Sequence, residues 1–203
     1  MSLPHAVIIA GGGGARLGGV RKADLRVGEL RQLDRVLAVL GDVARPILVA
    51  SGPPGQRIAL PAGCDAVPDR DSPMAGPLAG LAAAVARLAE SGITTGLLVS
   101  VAVDTPFLPV DFVPRMIAGL GNAPGVYAAW GEDFYPPNAL WRIEALQNLP
   151  AALARPDAPA SLKALQRGLD LQRVDWADDH ETNPFANINT LADLVALQRH
   201  TMR

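Results

Sequence analysis

Apolar positions along this chain form short, nearly continuous runs separated by stretches with a different spacing. The runs occupy residues 6–9, 47–50, 97–103, 125–129 and 171–176, with a shorter segment at 66–67. Several runs lack the alternation of polar and apolar residues that marks a strand with one solvent-exposed face. Continuous runs are typical of strands buried on both faces. They therefore predict a sheet that is covered on both sides.

The intervening stretches carry apolar residues at helical spacing. Leu33, Val36, Leu37 and Leu40 follow an i, i+3, i+4, i+7 pattern, and residues 78–88 repeat it. A last helix is predicted to begin at Thr190, where T-L-A-D (190–193) has the form of a capping box with Asp in place of Glu or Gln. Alternating strands and helices predict a mostly parallel α/β sheet.

Polar residues follow three of the predicted strands directly. A glycine-rich loop follows the first strand, Asp69 follows residues 66–67, and Asp104-Thr105-Pro106 follows residues 97–103. Ligands of open α/β sheets collect outside the carboxyl ends of the strands. The pattern therefore predicts one functional site built from these loops.

Composition narrows the class of protein. With 203 residues, 49% of them hydrophobic, we expect one globular domain spanning 1–203. A net charge of −2 disfavours a nucleic-acid-binding surface, and no apolar stretch approaches the ~20 residues of a membrane helix. The run at residues 6–10 is too short, and lacks the basic start, for a signal peptide.

Cysteine and histidine usage adds two expectations. Cys64 is the only cysteine, which rules out an intrachain disulfide and fits a reducing cytoplasm. His5, His180 and His200 are isolated from one another and from Cys64, so no zinc-ligand spacing is present. We expect a cytoplasmic protein that binds neither membranes nor nucleic acid.

The glycine loop does not match two familiar phosphate-binding patterns. Six glycines fall within residues 11–19, but G-x-G-x-x-G fails because its last position is Arg16 or Leu17. This argues against an NAD-dependent oxidoreductase. A P-loop fails because no glycine precedes a Lys-Ser or Lys-Thr pair. What remains is a loop that offers backbone N–H groups, Arg16 and Lys22 to a polyphosphate.

Five motifs together resemble the MobA-like NTP transferases, and among them the molybdenum cofactor guanylyltransferases. The motifs are I-A-G-G-x-x-x-R-L-G-G-x-x-K (9–22), L-D-R-V-L (33–37), D-R-D-S-P-M-A-G-P-L-A-G-L (69–81), D-T-P-F-L-P (104–109) and N-P-F-A-N-I-N-T-L-A-D-L (183–194). The resemblance implies a Rossmann-like, three-layer α/β/α fold. It also implies transfer of GMP from GTP to a molybdopterin-type cofactor, with Mg²⁺ and release of pyrophosphate.

The same resemblance implies where the substrates bind. The nucleotide would contact the backbone at Ile9, Ala10, Gly11 and Gly12, with Arg16 and Lys22 on its phosphates, Asp69 on the guanosine and Asp104 on magnesium. Asn187 and Asn189 would lie on the acceptor side, with Tyr135 and Lys163 as further candidates there. Transient contacts with a cofactor-delivering protein or a recipient molybdoenzyme would also fit.

Several of these residues have a structural interpretation as well. Asp104-Thr-Pro could form an ordinary turn after a strand, and Asp69 could be a solvated loop carboxylate. The segment 76–80 could be the start of a tightly packed helix, and Asn187 and Asn189 could stabilise the loop before Thr190. Both interpretations stay open at the sequence level.

The sequence also departs from the family pattern. Tyr135-Pro136-Pro137 stands where many guanylyltransferases have His-Pro, so the acceptor is less well defined than the nucleotide chemistry. Gly13 and Gly14 occupy variable positions of the loop, and the sequence assigns them no function. The alternatives are a cytidylyltransferase, whose loop usually reads A-A-G at residues 10–12, a sugar or alditol phosphate nucleotidyltransferase, and a nucleotide-binding regulator without turnover.

Overall fold

A seven-stranded sheet forms the centre of the computed structural model, which describes residues 2–11, 20–70, 76–188, 190 and 193. Within those residues the strands are β1 (His5–Ile9), β2 (Arg26–Val27), β3 (Leu30–Arg31), β4 (Ile47–Gly52), β5 (Cys64–Pro68), β6 (Leu97–Ala102), β7 (Gly125–Trp130), β8 (Asp133–Arg142) and β9 (Gln172–Asp175). The sheet order is β5-β4-β1-β6-β8-β7-β9, and β2 and β3 form a separate ribbon.

The sheet is mostly parallel, as the sequence predicts. Neighbouring strands from β5 to β6 are parallel, and so are β7 and β9. Strand β8 is antiparallel to both of its neighbours, β6 and β7. All strands of the sheet except β8 therefore run in the same direction.

Helices cover both faces of the sheet. They are α1 (Gln32–Leu40), α2 (Pro77–Glu90), α3 (Phe112–Leu120), α4 (Ile143–Leu146), α5 (Leu149–Ala152) and α6 (Leu162–Gly168). Buried side chains of α1 and α3 share one core with Ala6 and Ile8 of β1, whereas those of α2, α4, α5 and α6 share the opposite core with Val7 and Ile9. Because consecutive strand residues point to opposite faces, both faces are apolar. The predicted three-layer α/β/α architecture is confirmed.

The apolar runs and helical spacings match observed elements, but several elements have no counterpart in the predictions, among them β8 and α3. Strand β8 carries Pro136 and Pro137, which cannot donate to a strand ladder and so hide its β character. Helix α3 contains Pro114 in its first turn, where a missing N–H costs little. No helix in the described ranges has the length and apolar character needed to cross a bilayer.

The predicted capping box is present at Thr190. The Asp193 N–H donates to Thr190 Oγ1 at 3.2 Å, and the Thr190 N–H donates to Asp193 Oδ2 at 2.8 Å. This is the reciprocal pairing that defines such a box. The remainder of the predicted last helix lies outside the described residues.

The order of the strands creates a crevice beside β1. The chain passes from β1 to β4 and β5 on one side and returns later to β6 on the other. At such a topological switch point the connections diverge above the sheet and leave a gap at the carboxyl ends. The end of β1 and the loop that follows β6 border this gap, which is where the sequence places the candidate site.

Two glycines allow close packing near the crevice. A Cβ on Gly11 would lie 2.9 Å from Gly52 Cα, so the ends of β1 and β4 approach at backbone distance. A Cβ on Gly80 would lie 2.8 Å from the Cβ of Ala50, so α2 rests directly on β4. The interpretation of residues 76–80 as the start of a tightly packed helix therefore holds at Gly80.

Candidate active site

A cavity of about 390 Å³ opens at the carboxyl ends of β1 and β6. Its walls come from the end of β1, the short segment at Lys22, the start of α2, the loop after β6, the first half of β8 and the segment before Thr190. The lining residues are Ile9, Gly11, Lys22, Pro77, Ala102, Val103, Asp104, Phe134, Tyr135, Pro136, Pro137, Asn138 and Asn187. Six of the predicted site residues, from five separate segments, thus meet in one cavity.

An ion pair lies at the polar side of this cavity. Lys22 Nζ is 2.6 Å from Asp104 Oδ2, and the two side chains are only 25% and 14% exposed. Lys22 begins a short 3-10 helix, Lys22–Asp24, and Asp104 is two residues beyond β6. A cation and a carboxylate held together at a strand end can accommodate both an anionic ligand and a metal ion.

The end of β1 is fixed by backbone hydrogen bonds on both sides. The Ala10 N–H donates to the Ala50 carbonyl at 2.9 Å, and the Val103 N–H donates to the Ile9 carbonyl at 3.1 Å. Ile9 and Gly11 line the cavity, whereas Ala10 is buried behind them. A rigid strand end therefore presents Ile9 and Gly11 to a ligand.

Asp69 lies at a neighbouring strand end and not in the lining of the main cavity. Its N–H donates to the Gly52 carbonyl at 2.9 Å, which places it beside the residue that Gly11 contacts. Since β5 is two strands from β1, Asp69 is about 10 Å from the end of β1 at ordinary strand spacing. Partial burial raises the pKa of its carboxyl above the ordinary value.

A buried polar network connects β6, β8 and the segment that carries Asn187. Asn138, which is 1% exposed, accepts a 2.8 Å hydrogen bond from the Ala102 N–H and donates to Thr105 Oγ1 at 3.3 Å. Thr105 Oγ1 donates to Asn187 Oδ1 at 3.4 Å, and the Ile188 N–H donates to the Asp104 carbonyl at 3.1 Å. The network ties Asn187 to the loop that holds Asp104.

Sequence patterns did not single out Asn138 or assign Thr105 a function. Asn138 follows two prolines and precedes the apolar residues of β8, so nothing local marks it as part of a site. Its importance follows from burial, because a buried amide is normally hydrogen-bonded and thereby orients its partners. Only the observed pairing of β6 with β8 brings it to Ala102.

Tyr135 anchors the same C-terminal segment from the other side of the cavity. Its hydroxyl accepts a hydrogen bond from Asn183 Nδ2, and its ring lies 5.1 Å from the ring of Phe185. Burial raises the pKa of the Tyr135 hydroxyl, and the hydrogen bond from Asn183 partly offsets this. Tyr135 therefore both lines the cavity and supports the segment that carries Asn187.

Lys163 lies outside the main cavity but beside it. Its Nζ is 4.3 Å from the centre of the Phe134 ring, a cation–π contact. It lines a second cavity of about 270 Å³ that shares Pro77, Pro136 and Pro137 with the main one. The structure thus separates Lys163 from Asp104 by a wall of prolines.

The described residues can hold a magnesium ion only with help from a ligand. Among them no group of three or more His, Cys, Asp or Glu side chains is arranged for metal binding. Mg²⁺ typically uses one or two carboxylates together with substrate phosphates and water. Asp104, at the rim of a cavity large enough for a polyphosphate, fits that donor set.

Three predicted site residues, Gly12, Arg16 and Asn189, lie outside the described residues, as do Gly13 and Gly14. Of the other predicted residues, Ile9, Gly11, Lys22, Asp104, Tyr135 and Asn187 share the main cavity. Ala10 supports it from behind, and Asp69 and Lys163 lie on opposite sides of it along the sheet. The glycine loop therefore remains a prediction of the sequence.

Known proteins resemble this chain over nearly its whole length. Residues 6–173 match the model of the MobA-like NTP transferase domain. The chain is 39% identical to a molybdenum cofactor guanylyltransferase of Acidiphilium cryptum, an alignment covering 96% of this chain and 93% of the relative. It is 36% identical to that of Rhodobacter capsulatus, with 93% and 92% covered.

Solved structures share the fold at lower identity. Molybdopterin-guanine dinucleotide biosynthesis protein A from Archaeoglobus fulgidus superimposes with a TM-score of 0.74 at 18% identity, covering 98% of both chains. The 2-C-methyl-D-erythritol 4-phosphate cytidylyltransferase of Thermus thermophilus gives 0.68 at 22% identity, covering 100% of both chains. At these identities the similarity concerns the fold.

Proposed function

The chain belongs to the MobA-like NTP transferase family and is a nucleotidyltransferase, and from this membership we propose that it transfers GMP from GTP to the terminal phosphate of molybdopterin. The products are the guanine dinucleotide form of the cofactor and pyrophosphate. Similarity to two guanylyltransferases across more than nine-tenths of the chain carries this proposal. We also propose that residues 1–203 act as one domain.

The contact between Gly11 and Gly52 supports GTP over CTP as donor. The cytidylyltransferase pattern A-A-G would place an alanine at position 11, and its Cβ would lie 2.9 Å from Gly52 Cα. Real Cβ atoms essentially never approach that closely, so the ends of β1 and β4 would have to separate. The backbone here is built for glycine at this position.

The reaction breaks one P–O bond and forms another. A terminal phosphate oxygen of the acceptor attacks the α-phosphorus of GTP, and the bond from that phosphorus to the bridging oxygen of the β-phosphate breaks. Little covalent chemistry is left to the protein, so positioning and neutralisation of charge provide most of the rate acceleration. Pyrophosphate leaves with the electron pair of the broken bond.

Lys22 and Arg16 supply positive charge to the phosphates. Lys22 already lies in the cavity, where Asp104 holds its ammonium group in place. The triphosphate would take over Lys22 as a partner, and Asp104 would then be released to bind metal. The backbone at Ile9, Ala10, Gly11 and Gly12 would lie near the base and ribose, and Asp69 would bind the guanosine.

Enzymes of this family typically use a divalent metal, and we assign Mg²⁺ to Asp104. When bound, the ion would neutralise charge that accumulates on the phosphates. The backbone of Asp104 is held in place, because its carbonyl accepts a hydrogen bond from the Ile188 N–H at 3.1 Å. The protein thereby contributes one well-oriented carboxylate, and the nucleotide contributes the remaining charge.

The acceptor binds on the β8 side of the cavity. Asn187 and Asn189 orient its phosphate, Tyr135 supports that segment through Asn183 and Phe185, and Lys163 lies further out. Transient contacts with a protein that delivers the acceptor and with a recipient molybdoenzyme belong to the same proposal.

A nucleotide panel tests donor and acceptor together. Pyrophosphate release is measured with GTP, CTP, ATP and UTP, each with and without molybdopterin and Mg²⁺. We expect release only with GTP, molybdopterin and metal present. Equal turnover with CTP would contradict the guanine assignment, and tight GTP binding without any turnover would favour a regulator.

A further inference from the structure

The connection between β4 and β5 packs on the α1 side of the sheet without forming a helix. We call residues 53–63 the β4–β5 segment. Parallel neighbours are usually joined by a crossover that contains a helix, whereas here the side chains alternate. Arg57 and Ala59 are exposed, and Ile58 and Leu60 are partly buried against the core that α1 shares with β1. Two apolar side chains therefore attach the segment to the core, while its backbone is free of helical hydrogen bonds.

Two arginine side chains from another part of the chain satisfy backbone carbonyls of this segment. Arg21 Nη1 donates to the Arg57 carbonyl at 2.5 Å, and Arg31 Nη1 donates to the Ala59 carbonyl at 3.0 Å. Polar backbone groups outside regular structure need such partners. Arg31 is fixed in turn by Asp34, whose carboxylate oxygens accept two hydrogen bonds of 2.8 Å from it. The segment is therefore tied at two points to the stretch that runs from Arg21 to α1.

The same segment begins at the strand ends that border the main cavity. Its first residue follows Gly52, whose carbonyl accepts from the Asp69 N–H at 2.9 Å. A Cβ on Gly11 would lie 2.9 Å from Gly52 Cα, so Gly52 also packs against the end of β1. The β4–β5 segment therefore links the ends of β1 and β4 to the side chain of Arg21.

Arg21 is the residue directly before Lys22 in the chain. The backbone around Lys22 is a single 3-10 turn, in which the Asp24 N–H donates to the Arg21 carbonyl at 3.0 Å and the Leu25 N–H donates to the Lys22 carbonyl at 3.2 Å. Ala23, in the middle of the turn, is fully buried. The turn is thus anchored to the core at Ala23, and the Arg21 side chain anchors its start to the β4–β5 segment.

We propose that Arg21 is a positioning residue for Lys22, whose backbone it fixes through its contact with the Arg57 carbonyl. The inference rests on the proposed function, in which the Lys22 ammonium group acts on the phosphates of GTP. A lysine side chain is long and flexible, so the place of its ammonium group depends on a well-defined backbone and on its partner Asp104. Because GTP would replace Asp104 as that partner, the anchors of the turn become the remaining restraint during the reaction.

Arg21→Met removes the guanidinium group and keeps most of the aliphatic chain. Lys22 would still meet GTP, but from a less defined position, so we expect kcat to fall about tenfold with the KM for GTP nearly unchanged. Arg26→Met is the matched control, because Arg26 also donates to a backbone carbonyl at 2.5 Å, that of Glu29 within the β2–β3 ribbon. The control loses the same charge and should change neither constant.

A double variant shows whether Arg21 acts through the β4–β5 segment. Ile58→Ala shortens one of the two side chains that attach the segment to the core, and we expect it to lower kcat as well. If the two changes act by the same route, the double variant loses little more activity than Arg21→Met alone. Multiplied losses would mean that Arg21 acts independently of the segment and would overturn the inference. Arg21→Lys, which keeps a donor, should restore part of the activity.

Hydrogen exchange in the nucleotide-free protein gives a readout that does not depend on catalysis. The amides of Asp24 and Leu25 are protected by the 3-10 turn that follows Arg21. We expect Arg21→Met to accelerate their exchange, together with that of residues 56–60, and Arg26→Met to leave both stretches unchanged. Unchanged exchange in Arg21→Met would contradict the anchor itself.

The kinetic outcomes separate this inference from the proposed function. Wild-type protein that transfers GMP, together with an Arg21→Met variant of unchanged kcat, overturns only the inference about Arg21. A rise in the KM for GTP at unchanged kcat would place the Arg21 side chain on the nucleotide itself and overturn the inference as well. Wild-type protein that fails to transfer GMP to molybdopterin overturns the proposed function, while faster exchange at Asp24 and Leu25 in the variant still supports the anchor.

Discussion

Lys22 Nζ and Asp104 Oδ2 lie 2.6 Å apart although 82 positions separate the two residues in the chain. Both side chains are mostly shielded from water, and the attraction between them offsets part of the cost of removing the two charges from solvent. Binding of a polyphosphate and a metal ion would provide new partners for both. In the proposed reaction, the ion pair would hold both charges at the cavity before substrate binds.

Asp104→Asn should abolish most turnover while preserving the shape of the side chain. The amide cannot provide the negative charge that holds a metal ion, and we expect kcat to fall by about 100-fold or more. Pyrophosphate release at saturating GTP and molybdopterin measures the effect. Asp178→Asn, which changes an exposed carboxylate, serves as the control. If the Asp104 variant keeps its kcat, Asp104 has no part in the chemistry.

Asp69→Asn should stabilise the protein at neutral pH and weaken GTP binding. Burial raises the folded-state pKa of this carboxyl above its ordinary 3.8, so ionised Asp69 costs stability in the folded protein. Below the unfolded pKa both states carry the neutral acid and the cost is absent; it appears as the pH rises through the folded pKa. The variant should therefore raise Tm at about pH 7, with the difference shrinking toward about pH 4.

Thermal unfolding followed across this pH range, together with GTP titration at neutral pH, checks both parts of the Asp69 prediction. A gain in stability with unchanged GTP affinity would leave Asp69 as a partly buried loop residue outside the nucleotide site. A loss of Tm at neutral pH would contradict the desolvation argument itself.

Thr105→Val should disrupt the network that positions Asn187. Valine has nearly the same shape but cannot accept from Asn138 Nδ2 or donate to Asn187 Oδ1. Leaving the buried Asn138 amide short of a partner should cost about 1–3 kcal/mol of stability. We expect kcat to fall as well, because the Asp104 loop and Asn187 lose their link.

Thr105→Ser keeps the hydroxyl and should restore turnover. Urea unfolding and steady-state kinetics on both variants separate the effects. A purely structural contribution of Thr105 would lower stability in the valine variant without lowering kcat in the folded protein.

Gly80→Ala should destabilise the protein, against the usual direction for a helix interior. Alanine in a helix is ordinarily favoured over glycine by about 1 kcal/mol. Here its Cβ would lie 2.8 Å from the Cβ of Ala50, and overpacking costs about 1–3 kcal/mol. Chemical denaturation measures the net loss.

Two further variants make the Gly80 prediction specific. Gly168→Ala, in α6 with no heavy atom within 4 Å of the added Cβ, should be neutral or stabilising. Ala50→Gly combined with Gly80→Ala should lose less stability than the sum of the two single changes. Additive effects would show that the two positions do not contact each other as the structure describes.

Local sequence determined the layers of this protein and the kinds of residue at its site. Continuous apolar runs place β1, β4 and β6 in a covered sheet, because strands buried on both faces carry little polar character. Glycines, Lys22, Asp69 and Asp104 follow strand ends, where open sheets bind ligands. These signals are local in the chain and need no tertiary contact to be recognised.

Tertiary structure alone decided which residues share a cavity. Strand β8 escaped prediction because Pro136 and Pro137 interrupt its pattern, yet its pairing with β6 brings Asn138 to Ala102 and creates the proline wall between two cavities. Lys163 lines the second cavity and not the one that Asp104 lines. The sequence shows the periodicity of apolar residues and the chemistry of each side chain. Strand order and register, in contrast, are set by packing between distant segments. Contacts such as Lys22–Asp104 and Thr105–Asn187 therefore exist only in the folded chain.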